Sequence, residues 1–315
     1  MKKALKIIGK VLLWILILLL ALLLIVFIYN RIMLKKEEPL LEPLGQTVTV
    51  DSHQLSIYTE GEGEHTLVFL SGSGVPSPIL EYRPLYSQLS GEYKIVVIER
   101  FGYGFSDVTE DERTFETIVR QDREALSSVG IHEPVILCPH SMAGLEALLW
   151  AERYPDEIEA IVGLDMAIPE TYNSIDLGNT WIDGLFLAAR NAGIVRLFLN
   201  DSVFPETLTQ DEKAIYKAIT CKTYFNPTTT NEAQHIQEAA NALKPLPKPT
   251  MPMFLFVSNG TDTGVEKETW QKYPRDYASE QSNVVMKELD CGHMLNREMP
   301  EQISADMKDF IEGLG

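Results

Sequence analysis

The sequence predicts an α/β fold, in which a mostly parallel sheet of eight strands has helices on both faces and a helical insertion late in the chain. Three observations lead to this prediction. Short strand-like segments alternate with amphipathic helical segments, which is typical of parallel sheets. Several strands, such as "TLVFL" and "KIVVIE", are apolar throughout, as strands buried on both faces are. After Asp165 the pattern becomes helical as far as residue 248.

Residues 1–36 predict a membrane anchor. Val11 to Tyr29 are 19 consecutive apolar or aromatic residues, which is long enough for a helix to cross a bilayer. A cleaved signal peptide usually has a shorter apolar region that ends at small residues, whereas this run ends in Phe27, Ile28 and Tyr29. We therefore expect an uncleaved, single-pass anchor in the lipid bilayer.

The basic residues around this run predict its orientation. Four of them precede it (Lys2, Lys3, Lys6 and Lys10) and three follow it. Cytoplasmic flanks of membrane helices carry the excess of Lys and Arg. We therefore expect the N-terminus in the cytoplasm and the folded domain outside it.

The rest of the chain is strongly acidic. The formal net charge is −18, and residues 1–36 hold seven of the 27 basic residues and no acidic residue. Subtracting those seven leaves 20 basic against 45 acidic residues, a charge of −25. We do not expect such a domain to bind nucleic acid, because it would repel the phosphates. The sequence gives no indication of the oligomeric state.

The three cysteines, Cys138, Cys221 and Cys291, are expected to be free thiols. Their number is odd, and no CxxC pair or Cys/His set has the spacing of a zinc site. Buried cysteine behaves as a small apolar residue. We therefore expect neither a disulfide framework nor a metal or organic cofactor.

Residues 37–165 and 249–315 are predicted to form two parts of one core. A short linker, "EEPLLEPLG", precedes the first strand. The eight predicted strands are "QTVTV", "HQLSIYTE", "TLVFL", "KIVVIE", "PVILC", "EAIVGLD", "MFLFVS" and "NVVMKEL".

Residues 166–248 are predicted to be a helical insertion between two of these strands. Such an insertion would form a lid over a pocket, and its apolar residues would line the pocket or pack within the lid. These residues are Trp181, Leu185, Phe186, Leu197, Phe198, Tyr216, Tyr224 and Phe225.

The stretch "CPHSMAG" (Cys138 to Gly144) suggests a nucleophile at Ser141. The serine follows an apolar strand and opens an amphipathic helix, so a tight turn would expose its hydroxyl at the carboxyl edge of the sheet. A serine nucleophile also needs a base, a group that orients the base, and donors for an oxyanion. The alternative is an ordinary serine that caps the helix.

Four stretches, in this order, resemble the α/β-hydrolase family: "FLSGSG", "ERFGYGFSD", "PHSMAG" and "LDCGHMLNREMPEQI". They are similar to the family's oxyanion loop, its R-G-x-G-x-S stretch, its nucleophile elbow and the loop that carries its catalytic histidine. The resemblance extends from "QTVTV" to the C-terminus. It implies the α/β-hydrolase fold, with Ser141 as the nucleophile. Pro139 departs from the pattern, since the family has a glycine at that position.

The resemblance also implies two backbone N–H groups that form an oxyanion hole. One belongs to Met142, the residue after the nucleophile, and the other to Ser73 in the glycine-rich loop. The family often starts this loop with His-Gly, where this chain has Ser71-Gly72. The donors are main-chain groups, so this departure leaves their chemistry unchanged.

His293 is the expected base, because it follows "NVVMKEL" in a loop at the carboxyl end of that strand. The other five histidines belong to the first strands, precede "PVIL", adjoin Ser141 or lie in the insertion. The family places its acid either after the penultimate strand or, in members similar to haloalkane dehalogenases, after the strand that follows the elbow helix. These positions correspond to Asp262, which we favour, and to the alternative, Asp165.

The resemblance therefore implies a serine hydrolase that acts through an acyl-enzyme on a small carboxylic ester or a related acyl substrate. Family members that open epoxides or displace halide have Asp in place of Ser141. A peptidase or an acyltransferase with the same site is one alternative. A catalytically inactive, membrane-anchored binding protein is another.

Overall fold

A single eight-stranded sheet forms the centre of the protein in the computed structural model, which describes residues 2–175 and 180–314. The strands are β1 (Gln46–Val50), β2 (His53–Glu60), β3 (Thr66–Leu70), β4 (Lys94–Glu99), β5 (Val135–Pro139), β6 (Ile158–Leu164), β7 (Met253–Val257) and β8 (Val284–Glu288). Their order in the sheet is β1-β2-β4-β3-β5-β6-β7-β8. β2 is antiparallel to both of its neighbours, and all the other pairs are parallel. The predicted mostly parallel sheet of eight strands is confirmed.

Helices cover both faces of this sheet. The described α-helices are α1 (Lys2–Glu37), α2 (Pro78–Tyr86), α3 (Phe115–Ser128), α4 (Ala143–Arg153), α5 (Thr180–Asn191), α6 (Gln210–Thr223), α7 (Pro227–Leu243), α8 (Lys267–Ser279), α9 (Leu295–Glu298) and α10 (Pro300–Glu312). α3, α4 and α8 contribute to the core on one face, and α2 and α10 contribute to the core on the other.

The apolar strands are explained by these two cores. In β4, Val96 and Ile98 point into one core, and Ile95 and Val97 point into the other. Successive side chains of a strand point to opposite faces, so a strand covered on both sides has to be apolar at nearly every position.

The segment from residue 166 to residue 248, which we call the cap, joins β6 to β7. Its described part contains α5, α6 and α7 together with short 3₁₀ helices, and no strand occurs among these described residues. Cap helix α7 packs against the core through Ile236, Ala240 and Leu243. The cap therefore packs against the core within the connection from the end of β6 to the start of β7.

A buried cluster of charges also holds the cap to the core. Arg100, at the end of β4, bonds Glu146 of α4 at 2.8 Å and Glu232 of α7 at 3.1 Å, and the Tyr103 hydroxyl donates to Glu232 at 2.5 Å. Burial raises the pKa of Asp122 well above its usual range, and the neighbouring Glu146 raises it further. Asp122 therefore keeps its proton.

α1 extends away from this body over most of its length. It has 36 residues, which corresponds to about 54 Å of helix. Within it, an 18-residue window is strongly apolar and contains no buried residue. α1 is thus one helix that is long and apolar enough to span a membrane. Its C-terminal part contacts the cap, where Asn30 and Glu37 become buried.

Candidate active site

Ser141 lies in a strained turn between β5 and α4. Its φ is +54°, a left-handed conformation that non-glycine residues rarely adopt. A Cβ on Gly144 would lie 2.1 Å from the carbonyl oxygen of Ala167, and a Cβ on Gly72 would lie 2.7 Å from Cβ of Ser141. Glycine is therefore required at both positions. Pro139, where the family pattern has glycine, is the buried last residue of β5.

The structure brings His293 to Ser141. Nε2 of His293 lies 2.9 Å from Oγ of Ser141, and Nδ1 lies 2.6 Å from Oδ2 of Asp165. The loop that carries His293 is held in turn by its backbone N–H, which donates to the carbonyl of Thr261 at 3.0 Å. A hydroxyl, an imidazole and a carboxylate thus form one continuous chain at the carboxyl ends of β5, β6 and β8.

The carboxylate that contacts the His293 imidazole is that of Asp165, the alternative acid, and not that of the favoured Asp262. Asp165 directly follows β6, is buried, and accepts hydrogen bonds from the N–H and Oγ of Ser258 at 2.7 and 2.6 Å and from Nε1 of Trp270 at 3.0 Å. Asp262 is exposed in a turn with a φ of +71°. That turn places its carboxylate beside Gly292 rather than at the imidazole.

His293 lies between two rings to which the sequence assigned no role. The centroid of His140 is 4.6 Å from that of His293, and Trp270 meets His293 edge-on at 5.3 Å. Nε2 of His140 lies 3.0 Å from the carbonyl oxygen of His293 and must donate, because a carbonyl only accepts. Nδ1 of His140 is then an acceptor, and within the described chain it is buried without a hydrogen-bond partner.

Burial, together with the neighbouring His293, lowers the pKa of His140 to about 3. His140 is therefore neutral at physiological pH. The sequence feature that could have indicated a role for His140 is its position next to Ser141. Trp270 has no comparable signal, since it lies on α8 and reaches Asp165 only through the packing of that helix on the sheet.

The two predicted oxyanion donors belong to residues next to Ser141 or to its contacts. Met142 follows Ser141 directly, and Ser73 follows Gly72, on which a Cβ would lie 2.7 Å from Cβ of Ser141. Within the described residues, neither N–H is among the backbone–backbone hydrogen bonds of the turns and loops. Met142 and Ser73 therefore stay the predicted donors.

A cavity of about 460 Å³ lies under the cap. Its wall is mostly apolar, and five of the predicted cap residues contribute to it: Phe186, Phe198, Tyr216, Tyr224 and Phe225. Leu185 and Leu197 are not among the described wall residues, and the side chain of Trp181 lies outside the described residues. A smaller cavity, with Ser73 in its wall, shares Gly74, Pro76, Tyr224 and Phe225 with the larger one. The apolar space therefore leads to the oxyanion loop.

The one cation in the described wall of the larger cavity is neutralised. The Arg297 guanidinium pairs with Glu81, a fully buried carboxylate that also accepts from the Tyr216 hydroxyl at 2.7 Å. The paired charge leaves a cavity suited to a neutral, apolar group.

The three cysteines take no part in the hydrogen bonds described above for Ser141, His293 and Asp165. Cys138, Cys221 and Cys291 are free and buried, and burial raises the pKa of the Cys221 thiol to about 11. Over residues 2–175 and 180–314, no group of three His, Cys, Asp or Glu side chains is arranged to hold a metal ion.

Comparisons with known proteins relate this chain to the alpha/beta hydrolases by sequence and by fold. Residues 67–306 match the sequence profile of the alpha/beta hydrolase family. An uncharacterized protein of Bacillus subtilis (strain 168), YbdG, is 36% identical over 91% of each chain. An epoxide hydrolase from Vigna radiata superimposes with a TM-score of 0.67 at 19% identity, covering 87% of this chain and 99% of the other. An enol-lactonase from Burkholderia xenovorans LB400 gives a TM-score of 0.64 at 19% identity, covering 85% and 100%. These two structures share the fold.

Proposed function

The chain belongs to the alpha/beta hydrolase family, and from this we propose that it is a serine hydrolase with Ser141 as nucleophile, His293 as general base and Asp165 as the acid. The observation that carries the proposal is the continuous pair of contacts, 2.9 Å from Ser141 to His293 and 2.6 Å from His293 to Asp165. The strained turn at Ser141 supports it, because strain of this kind persists where surrounding structure fixes a functional geometry.

The proposed reaction begins when Oγ of Ser141 attacks an acyl carbonyl carbon and Nε2 of His293 accepts the hydroxyl proton. Asp165 holds the ring with Nδ1–H toward its carboxylate and stabilises the imidazolium. The N–H groups of Met142 and Ser73 bind the oxyanion, and loss of one such donor costs roughly 3 kcal/mol of barrier. His293 then gives its proton to the leaving group, and an acyl-enzyme remains. Water, deprotonated by His293, releases the acid and restores Ser141.

The proposed substrate is a carboxylic ester or related acyl compound with an apolar group. A serine hydroxyl forms a labile ester with an acyl group, which favours acyl substrates over epoxides or alkyl halides. The apolar wall and the neutralised Arg297 of the cavity favour an uncharged chain in that space. A peptide substrate with a free amine would leave its charge without a partner there.

Labelling with a fluorophosphonate probe and hydrolysis of p-nitrophenyl acyl esters test this function. We expect the detergent-solubilised full chain to be labelled and to hydrolyse the esters. Ser141→Ala should lose both properties, whereas Ser128→Ala, a change at an exposed serine on α3, should keep both. Labelling of Ser141→Ala at the rate of the unmodified chain would contradict the mechanism. An unlabelled but folded native chain would favour a binding protein.

We also propose that α1 anchors the protein in a lipid bilayer through residues 1–36, with the N-terminus cytoplasmic and the folded domain outside. The apolar, exposed window of α1 and its basic flanks support this. An epitope tag at the N-terminus tests retention of the helix, since cleavage would separate the tag from the membrane-bound chain. Reporter fusions at both termini test the orientation. A C-terminal reporter found in the cytoplasm would contradict it.

A further inference from the structure

Five apolar side chains of the cap are exposed. We call them the cap patch: Leu185, Phe186, Leu197, Phe198 and Val203, whose exposed fractions are 60%, 44%, 60%, 72% and 41%. Single exposed apolar residues are ordinary, but a group of them marks a surface that interacts with a partner.

Hydrogen bonds hold the segment that carries Leu197 and Phe198 against the C-terminal part of α1. Arg196 forms two hydrogen bonds to the carboxylate of Glu37, at 2.6 and 2.7 Å, and a third to Oδ1 of Asn30 at 2.9 Å. Arg196 and Asn30 are both buried in this contact. Leu197 and Phe198 follow Arg196 directly, so their position relative to α1 is fixed.

The contact between the cap and α1 extends from Glu37 back to the last turn of the apolar run. A Cβ on Gly193 would lie 2.4 Å from Cβ of Asn30 and 3.2 Å from the carbonyl oxygen of Val26. Val26 precedes the end of the run, Tyr29, by three residues, or about 4.5 Å of helix. If the run occupies the hydrocarbon, this part of the cap lies at the boundary between headgroups and acyl chains. The exposed Arg31, Lys35 and Lys36 then lie at the level where basic residues meet lipid headgroups.

The same surface borders the larger cavity, which shares wall residues with the smaller cavity at Ser73. Phe186, Phe198 and Val203 belong both to the cap patch and to the wall of the larger cavity. A molecule dissolved in the outer part of the bilayer would therefore meet the cavity without passing through water.

We propose that the cap patch lies in the headgroup–acyl boundary of the bilayer that α1 spans, and that the substrate is a membrane-partitioned ester whose apolar chain enters the cavity from the lipid. This inference rests on the proposed hydrolase function and on the proposed anchor. Its first part, contact with lipid, is independent of any catalysis.

Depth measurements on the full chain in phosphatidylcholine vesicles test the contact. Nitroxide labels are placed singly at Leu197→Cys on the cap patch, at Leu19→Cys within the apolar run, and at Val285→Cys on exposed β8, which serves as the control. Oxygen concentrates in hydrocarbon, whereas a nickel complex stays in water. We expect the Leu197 label to collide more often with oxygen than with the nickel complex, as the Leu19 label should. A Leu197 label that matches the Val285 label would overturn the proposal. Shielding from both reagents would indicate a second protein copy on the patch and would also overturn it.

Hydrolysis separates failure of this inference from failure of the proposed function. The double variant Leu185→Ser and Leu197→Ser changes patch residues outside the described cavity wall, and Val285→Ser is the matched control. We expect the double variant to lose roughly tenfold in kcat/KM on a long-chain ester carried in vesicles, since it weakens apolar contact with the lipid, and to keep its rate on dissolved p-nitrophenyl acetate. Equal rates of variant and native chain on the vesicle-borne ester would refute entry from the lipid. Absence of hydrolysis in every variant would refute the hydrolase function while the depth result stands.

Discussion

The carboxylate of Asp165 lies 2.6 Å from Nδ1 of His293, and three further donors hold it there. The N–H and hydroxyl of Ser258 and the indole N–H of Trp270 all donate to the same two oxygens. A carboxylate that accepts this many hydrogen bonds is fixed in position. Asp165 is therefore placed to select the His293 tautomer with the proton on Nδ1, which leaves Nε2 free to accept the Ser141 proton.

Asp165→Asn is expected to reduce kcat for ester hydrolysis by the order of 10³–10⁴-fold, because an amide at this position favours the wrong tautomer of the base. Asp262→Asn, at an exposed turn, is expected to stay within about twofold of the native rate. Steady-state kinetics on p-nitrophenyl esters measures both, with thermal unfolding to show that each variant is folded. A large loss of activity in Asp262→Asn alone would instead assign the role of the acid to Asp262.

The choice between these two aspartates shows how far the sequence alone reaches. Both residues follow apolar strands and both occupy left-handed turns, so the local signals are the same. What distinguishes them is the order of strands in the sheet: β6 lies between β5 and β7, which brings Asp165 next to the turn of Ser141. Strand order depends on contacts between distant segments, and the alternation of apolar residues does not encode it.

Other features of the structure also differ in whether the local sequence predicts them. The eight strands and the turn at Ser141 follow from short apolar segments and small residues, which are local features. The contacts of His140 and Trp270 with His293 depend on how loops and α8 pack on the finished sheet. The pairing of Arg196 with Glu37 joins segments 159 residues apart, and neither residue carries a motif.

Gly144→Ala is expected to lower kcat/KM by roughly 10²-fold, because a displacement of the nucleophile of about 1 Å has effects of that size. The added Cβ would lie 2.1 Å from the carbonyl oxygen of Ala167, so the turn that carries Ser141 has to shift. Gly91→Ala is the matched control, since a Cβ there meets no atom within 4 Å. The kinetics of both variants, alongside their thermal unfolding, checks the prediction. A Gly144→Ala enzyme with native kinetics would show that the turn tolerates the methyl group.

His140 is expected to make the folded protein sensitive to mild acid. Its pKa is about 3 when folded, below its usual value of 6.5, because burial disfavours the charged ring. As the pH falls below about 6.5, the unfolded chain takes up a proton at this residue and the folded chain does not. The stability present above that pH is therefore lost between about pH 6.5 and 3, by about 2 kcal/mol at pH 5.

His140→Gln tests this, because glutamine keeps a donor for the His293 carbonyl but does not titrate. Urea unfolding of the detergent-solubilised chain at pH 8 and pH 5 is expected to show a smaller loss of stability in the variant than in the native protein. An equal loss in both would assign the acid sensitivity to other groups.

Glu232→Gln is expected to cost about 3–5 kcal/mol of unfolding free energy, because it removes one partner of a buried ion pair and leaves Arg100 short of negative charge. The buried charge of Arg100 is balanced by its pairs with Glu146 and Glu232 while Asp122 keeps its proton. The loss of Glu232 breaks this balance at the contact between α7 and the core.

A second ion pair between cap and core provides the control for this variant. Arg83 of α2 and Glu212 of α6 form a bridge at 3.0 Å, but the Arg83 side chain is 40% exposed. Solvent-exposed pairs of this kind contribute about 0–1 kcal/mol, so Arg83→Gln should change stability little. Denaturant unfolding gives the two values, and limited proteolysis shows whether the cap is released. Because burial is what distinguishes the two pairs, equal losses in both variants would mean that the Arg100 cluster does not hold the cap more firmly than the surface pair does.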